Sequence, residues 1–110
     1  FMQSQSQWLD MYKRMMYIRS DYKLAKKWQT SASRISQIRR NRLRLTMAEC
    51  LKIAHALEID PLEILAGLEY HRCKEQEKDL IKETYYDALV KTIGARMAAQ
   101  SKGKGYFKKR

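Results

Sequence analysis

The stretch from residue 24 to residue 41 constrains this chain most, because it joins two short helical patterns through a turn. Leu24 and Trp28 lie four residues apart and mark the apolar side of the first pattern. Ile35 and Ile38 do the same for the second pattern, which opens on small polar residues and closes on arginines. A helix of this kind can reach base edges with its N-terminal end while its basic end contacts phosphates.

The composition predicts that the rest of the chain is helical as well. The 110 residues include four Gly and one Pro, and no segment shows the alternating Val, Ile and Thr of a strand. The length suits one small domain with an extension rather than two full cores. No apolar run approaches the roughly 18 residues of a membrane span and no signal peptide is visible, so we expect a cytoplasmic protein with no membrane partner.

The 24–41 segment resembles the helix-turn-helix of the lambda-type phage repressor and Cro family, the Xre-like regulators. Members commonly read Leu-Ala, two variable residues, an apolar residue, Gly, an apolar or Thr residue and Ser, then three variable residues and Ile-Ser. The matching residues here are Leu24-Ala25, Trp28, Thr30-Ser31 and Ile35-Ser36. The likeness covers residues 8–68 and continues through Leu51, Ile53-Ala54, Ala56-Leu57, Asp60 and Leu65.

Two residues depart from the family's pattern, and both stand where glycine is usual. Gln29 occupies the turn, so that position must accommodate a Cβ atom. Asn41 follows the second helix, but asparagine tolerates the left-handed conformation, so we expect the helix to end there as it does in the family.

The resemblance implies a fold, an activity and partners. The fold would be a five-helix, lambda-repressor-like domain with a C-terminal helical extension. The activity would be that of a sequence-specific transcriptional regulator of a phage or prophage, which blocks a promoter by occupying a double-stranded DNA operator. Family members usually bind pseudo-palindromic operators as dimers, so a homodimer that associates with the nucleoid is expected.

The chain divides into four parts. Residues 1–7 are polar and expected to be disordered, with Phe1 a remnant of cloning and Met2 the natural start. The other parts are a DNA-binding domain over residues 8–68, a helical extension over residues 69–100 and a flexible basic tail over residues 101–110.

Short polar residues signal where the helices of the domain begin. The first helix is expected from about Trp8 to Tyr17. The later helix starts are predicted at Ser20 or Asp21, at Ser31, at Thr46 with Glu49 in a capping box, and at Asp60 followed by Pro61. Leu51, Ala54 and Leu57 are predicted to form the apolar stripe of the helix that starts at Thr46.

Positive charge is concentrated in the first half of the chain and in the tail. Residues 12–44 contain eleven Lys and Arg against one Asp, whereas residues 45–101 contain seven basic and ten acidic residues. Five more basic residues lie in residues 102–110. Solvated surfaces usually mix both signs of charge, so a polyanionic partner accounts for this segregation better than solubility does.

The residue types on the second helix indicate how base edges would be read. Ala32, Ser33 and Gln37 are expected on its outward face, since Gln can bond adenine bidentately and an Ala methyl suits a thymine methyl. Arg34 would reach guanine or a phosphate. Phosphate contacts are expected from Lys23, Ser31, Arg39, Arg40, Arg42 and Arg44.

A further helical pattern runs from about residue 78 to residue 99. Its apolar residues are Ile81, Tyr85, Leu89, Ile93 and Met97. A helix of this length does not stay folded alone, so the stripe must cover its own domain or a partner. We expect Tyr85, Leu89 and Ile93 to form a dimer interface, and the alternative is that the stripe completes the core of the monomer.

Other functions find less support. Cys50, His55, His71 and Cys73 lack the paired spacing of a metal site, and both thiols are expected to be reduced. No Gly-rich phosphate loop or catalytic triad is visible, so we expect no enzyme activity, no metal and no cofactor. The alternatives are an antitoxin that regulates its own operon and captures a toxin, and a helical interaction module whose basic face meets an acidic protein.

Overall fold

Six α-helices and one short 3₁₀ turn form the computed structural model, which describes residues 2–108 and the side chains of residues 2–100. In chain order they are α1 (Gln5–Met15), α2 (Asp21–Lys27), α3 (Ala32–Arg39), α4 (Met47–Leu57), α5 (Pro61–Tyr70), the 3₁₀ turn (Glu75–Glu77) and α6 (Lys78–Lys108). No strand occurs within residues 2–108, so the predicted all-helical class is confirmed.

Each of the helices α1 to α5 begins after a residue whose side-chain oxygen accepts a hydrogen bond from the first turn. These capping residues are Ser4, Ser20, Ser31, Thr46 and Asp60. At α4 the arrangement is reciprocal, because the Thr46 N–H also donates to the Glu49 carboxylate at 2.9 Å. The four later caps are therefore confirmed, with Ser20 rather than Asp21 at the start of α2.

Each of the helices α1 to α4 is followed, one or two residues after its end, by a non-glycine residue in the left-handed conformation. These residues are Tyr17, Gln29, Asn41 and Glu58, with φ between 56° and 60°. The following N–H then bonds a carbonyl in the last turn, as Arg42 does to Gln37 at 2.9 Å. The expected left-handed ending at Asn41 is confirmed, and Gln29 adopts the same conformation with a Cβ atom in place.

Helix α1 begins three residues earlier than predicted, so the expectation of disorder is wrong for residues 5–7. Ser4 and Gln7 form a capping box, which satisfies backbone groups at the start of the helix. Gln5 is 1% exposed, and its amide nitrogen donates to the carbonyls of Ile38 and Leu43, at 2.9 Å each. Polar composition alone does not reveal these long-range partners.

The hydrophobic core lies among α1 to α5. Its fully buried aliphatic side chains are Leu9, Leu24, Ile35, Ile38, Ile53 and Ile64. The rings of Tyr12 and Trp28 pack with centroids 5.1 Å apart and connect α1 to the end of α2. Of the predicted apolar stripe of α4, Ala54 and Leu57 are buried as expected, together with Cys50 and Ile53. Leu51 lies to one side of that face and is 46% exposed.

Helix α6 packs the first half of its length against α5. The Tyr85 ring lies 3.6 Å from the position that a Cβ on Gly67 would occupy, and Ala88 and Thr92 are also buried. Without an interrupting proline, the backbone of α6 continues to Lys108 and includes residues 101–108 of the expected flexible tail. Residues 109–110 of that tail lie outside the described residues.

Candidate nucleic-acid interface

Helix α3 turns one polar face away from the core. Because Ile35 and Ile38 are fully buried, helical geometry places Ser33, Gln37 and Arg40 together on the opposite side. Ser33 and Arg40 are exposed, and Gln37 is half-buried.

Two small residues extend this polar face at its start and along its side. Ala32 is exposed in the first turn of α3. Ser36, which the sequence analysis did not single out, lies three residues after Ser33 and four before Arg40 and is half-buried. That spacing was visible in the sequence and would have added Ser36 to the predicted set.

The N-terminal ends of α2 and α3 are both capped by serine. The Ser31 hydroxyl oxygen accepts a hydrogen bond from the Arg34 N–H, and the Ser20 hydroxyl accepts one from the Lys23 N–H, each at 3.1 Å. The Ser31 hydroxyl is therefore used by the helix, and what Ser31 offers a phosphate is the partial positive charge of the helix end. Lys23 is exposed in the first turn of α2.

Arg34, which was predicted to reach a base or a phosphate, is held by an acidic side chain of α4. Its guanidinium donates two hydrogen bonds to the Glu49 carboxylate, one of them at 2.9 Å, and so ties α3 to α4. Burial alone would raise the pKa of Glu49, but the hydrogen bonds from Arg34 and Thr46 outweigh it and hold the pKa below 4.5. Reading a base would require breaking this pair.

Arg39, which was predicted to contact a phosphate, is also engaged within the protein. It donates to both carboxylate oxygens of Asp21, at 2.7 and 2.9 Å, to Asp10 at 2.8 Å and to the Ser6 hydroxyl at 2.7 Å. Lys13 adds a contact to Asp21 at 3.0 Å. The hydrogen bonds from Arg39 hold the pKa of Asp21 below 3.8. Arg39 therefore joins α1, α2 and α3.

A basic loop, residues 40–45, follows α3 and carries the other predicted phosphate contacts. Arg40, Arg42 and Arg44 are all exposed. Gln5 holds the backbone of this loop, because its amide donates to the Leu43 carbonyl at 2.9 Å and its side-chain oxygen accepts from the Leu45 N–H at 2.8 Å. One buried glutamine thereby fixes the position of three exposed arginines.

The charge of residues 12–44 is mostly displayed on the surface. Lys13, Arg34 and Arg39 are the three basic residues of this segment in the ion pairs described above. The other eight are exposed: Arg14, Arg19, Lys23, Lys26, Lys27, Arg40, Arg42 and Arg44. Such a surface attracts a polyanion and loses that attraction as salt rises.

The residues predicted to form a dimer interface do not share one exposed face. Tyr85 is 5% exposed because it packs on α5, so it offers little surface to a second chain. Leu89 is half-buried beside a surface cavity of about 410 Å³ between α1 and α6, and Ile93 is 49% exposed. The first half of the stripe therefore completes the fold of the monomer.

The cysteines and histidines are not brought together. Cys50 is buried, and burial raises the pKa of its thiol to about 11, which keeps it protonated. Within residues 2–108, no three His, Cys, Asp or Glu side chains are grouped so that they could hold a metal ion. The helices of this part of the chain also include none with the length and apolar character needed to cross a membrane.

The fold and this surface define a small helical domain that presents a polar helix face in basic surroundings. Comparison of the chain with protein-family models, with curated proteins and with solved structures gave no match. Hydroxyl and amide groups can bond base edges, and the exposed arginines and lysines can contact phosphates.

Proposed function

We propose that this protein is a sequence-specific DNA-binding transcriptional regulator, in which α2 and α3 act as a helix-turn-helix. The observation that carries the proposal is the outward side of α3, where Ser33 and Gln37 lie beside Arg40, one of the eight exposed basic residues of the segment 12–44. A polar helix face that does not cover the core, in a segment rich in exposed basic residues, fits the major groove, which is about 12 Å wide and admits an α-helix.

The contacts divide into two classes. Gln37 can donate to and accept from one adenine, Ser33 can bond several bases, and the Ala32 methyl can pack on a thymine methyl. Lys23, Arg40, Arg42 and Arg44 contact phosphates and set the register of the protein on the duplex. Arg34 and Arg39 contribute indirectly, because their ion pairs hold α3 in place.

As a regulator, the protein would act from the cytoplasm by occupying an operator and excluding polymerase, in the manner of small phage and prophage repressors. Two copies on a two-fold operator would place their reading helices about 34 Å apart, one turn of the DNA helix. The positive surface around α3 would also bring the protein to non-specific DNA, from which it would reach its operator.

Selection of bound sites from a random duplex pool tests this function. The wild type is expected to enrich one sequence, and Gln37→Ala is expected to relax the preference at one or two base pairs by about 1–3 kcal/mol. Gln76→Ala, an exposed glutamine in the 3₁₀ turn, is the matched control and keeps the full preference. A pool with no enriched sequence, or an unchanged preference in Gln37→Ala, would contradict the proposal.

A further inference from the structure

A row of apolar side chains remains exposed along the outer side of α6. Val90 is 66% exposed, Ile93 is 49% exposed and Met97 is 64% exposed. Tyr86, which is 39% exposed and meets Tyr85 edge-on, continues the row one turn earlier. The successive spacings of four, three and four residues are those of a coiled-coil seam. We call these four residues the outer seam.

The outer seam is separate from the side of α6 that packs on α5. Within residues 78–100, the buried residues of the helix are Tyr85, Ala88 and Thr92. At 3.6 residues per turn, their mean direction and that of the outer seam lie about 135° apart around the helix axis. Helix α5 therefore does not cover the outer seam, so a second helix can approach the seam without displacing α5. On its α1 side, the seam borders the cavity between α1 and α6, which Ile93 helps to line.

The second half of α6 also needs a packing partner, because the helix extends beyond the part that contacts α5. Its 31 residues extend over about 46 Å at 1.5 Å per residue. Beyond Thr92, side chains up to residue 100 are exposed. Isolated helical segments are marginal in water, and most of their stability in proteins comes from packing of an apolar face. The second half of α6 has such a face in Ile93 and Met97.

The distribution of charge along α6 identifies the partner and its direction. Residues 78–88 contain three acidic and two basic residues, whereas residues 89–108 contain five basic residues and no acidic one. Two parallel copies would place the basic halves side by side. Two antiparallel copies place each basic half beside the acidic half of the other, and they also align the helix dipoles favourably.

We infer that α6 is the dimer contact of this protein, and that a second copy of the chain packs antiparallel on the outer seam. Val90 of one copy then faces Ile93 of the other, and Met97 faces Tyr86, around a two-fold axis between residues 91 and 92. The contact is isologous, so it closes as a dimer and does not propagate. This inference deepens the proposed function. The use of the dimer at a two-fold operator rests on that proposed function.

Sedimentation of the full chain without DNA tests the contact. The wild type is expected to be a dimer, and Val90→Glu with Met97→Glu is expected to raise the dissociation constant at least about 100-fold, since the charges would face apolar side chains. Leu80→Glu is the matched control, because Leu80 is 65% exposed on the same helix but lies off the outer seam. It is expected to remain a dimer.

Cysteine cross-linking tests the direction in a Cys73→Ser background, in which the buried Cys50 is retained. A mixture of Tyr86→Cys and Met97→Cys chains is expected to form a disulfide between copies. Met97→Cys alone is expected to form none, because the two Met97 positions lie about 16 Å apart along an antiparallel pair. The opposite pattern would establish a parallel pair and overturn the inference.

The remaining outcomes are equally decisive. A monomeric wild type, a dimer that survives both glutamate substitutions, or a monomeric Leu80→Glu with native helix content would each overturn the assignment of the outer seam. These results are distinct from a failure of DNA binding, because a protein can dimerise through α6 without binding DNA. A monomer can likewise bind a single half-site without dimerising.

Discussion

Two sets of arginines surround α3, and they differ in what they contact. Arg34 and Arg39 bond carboxylates on neighbouring helices, whereas Arg40, Arg42 and Arg44 are exposed in the loop that follows. All five lie within eleven residues of the sequence and were predicted together as DNA contacts. Arg34 and Arg39, the bound set, fix the orientation of α3. Arg40, Arg42 and Arg44, the exposed set, provide the charge that a polyanion would meet.

The difference teaches that an arginine's role in a basic segment depends on the acidic residues that the fold brings to it. Arg39 finds Asp21 and Asp10, which are 18 and 29 residues away in the sequence. Arg34 finds Glu49, which the capping box of α4 already orients. A residue that is 26% or 21% exposed and bonded to a carboxylate is a poor base reader, because binding DNA would have to displace its partner.

The largest expected effect concerns the residue that holds the exposed set in place. Gln5→Ala is expected to lower the free energy of unfolding by about 3 kcal/mol, because the Leu43 carbonyl and the Leu45 N–H lose the side chain that bonds them. Urea denaturation measures the loss, with Gln76→Ala as an exposed control that stays near the wild type. A loss below about 1 kcal/mol would show that the basic loop does not depend on Gln5.

The next effect separates the two sets of arginines directly. Arg34→Ala and Arg39→Ala are each expected to lower the free energy of unfolding by about 2 kcal/mol, since a partly buried carboxylate loses its partner. Arg40→Ala and Arg42→Ala are expected to leave it nearly unchanged. Equal losses in all four variants, measured by thermal or urea unfolding, would remove the distinction.

The local features of this fold could be predicted from the sequence, and the long-range ones could not. Ser31, Thr46 and Asp60 identify helix starts because each acts within its own first turn. Asn41 marks a helix end for the same local reason. The partners of Gln5 and Arg39 lie up to 67 residues away, so no local pattern indicates them.

The orientation of α6 about its own axis is a second feature that the sequence alone does not predict. Its apolar residues are numerous enough for two faces, and the sequence alone does not say which one α5 will cover. The predicted interface set mixed the two, taking Tyr85 from the covered face and Ile93 from the exposed one. In the structure, the packing of Tyr85 on Gly67 sets which face of α6 contacts α5.

The ion pairs of the bound set also predict a dependence of stability on pH. The pKa values of Asp21 and Glu49 are lowered in the folded protein, so both carboxylates favour folding above their ordinary values of 3.8 and 4.5. That contribution is lost as the pH falls through the folded pKa values. The free energy of unfolding, measured from neutral to acid pH, is expected to fall less steeply in the double variant Arg34→Met/Arg39→Met than in the wild type. An equally steep loss would mean that other groups dominate.

The smallest expected effect lies in the turn between α2 and α3. Gln29 has φ of 56°, a conformation that glycine adopts without a Cβ clash. Gln29→Gly is expected to raise the free energy of unfolding by about 0.5–1 kcal/mol, and Gln29→Ala is the control that keeps the Cβ. A destabilised Gln29→Gly, measured by urea unfolding, would show that the side chain contributes more than the backbone conformation costs.

The salt dependence of DNA binding tests the central difference between the bound and exposed arginines most directly. The slope of the logarithm of the association constant against the logarithm of salt concentration is expected to become shallower by about one for each phosphate contact removed. Replacing Arg40, Arg42 and Arg44 together by Ala should therefore flatten the slope by about three, whereas Arg39→Ala, measured where it is folded, should leave it unchanged. An unchanged slope in the triple variant, or an equal flattening in Arg39→Ala, would contradict the assignment of these arginines.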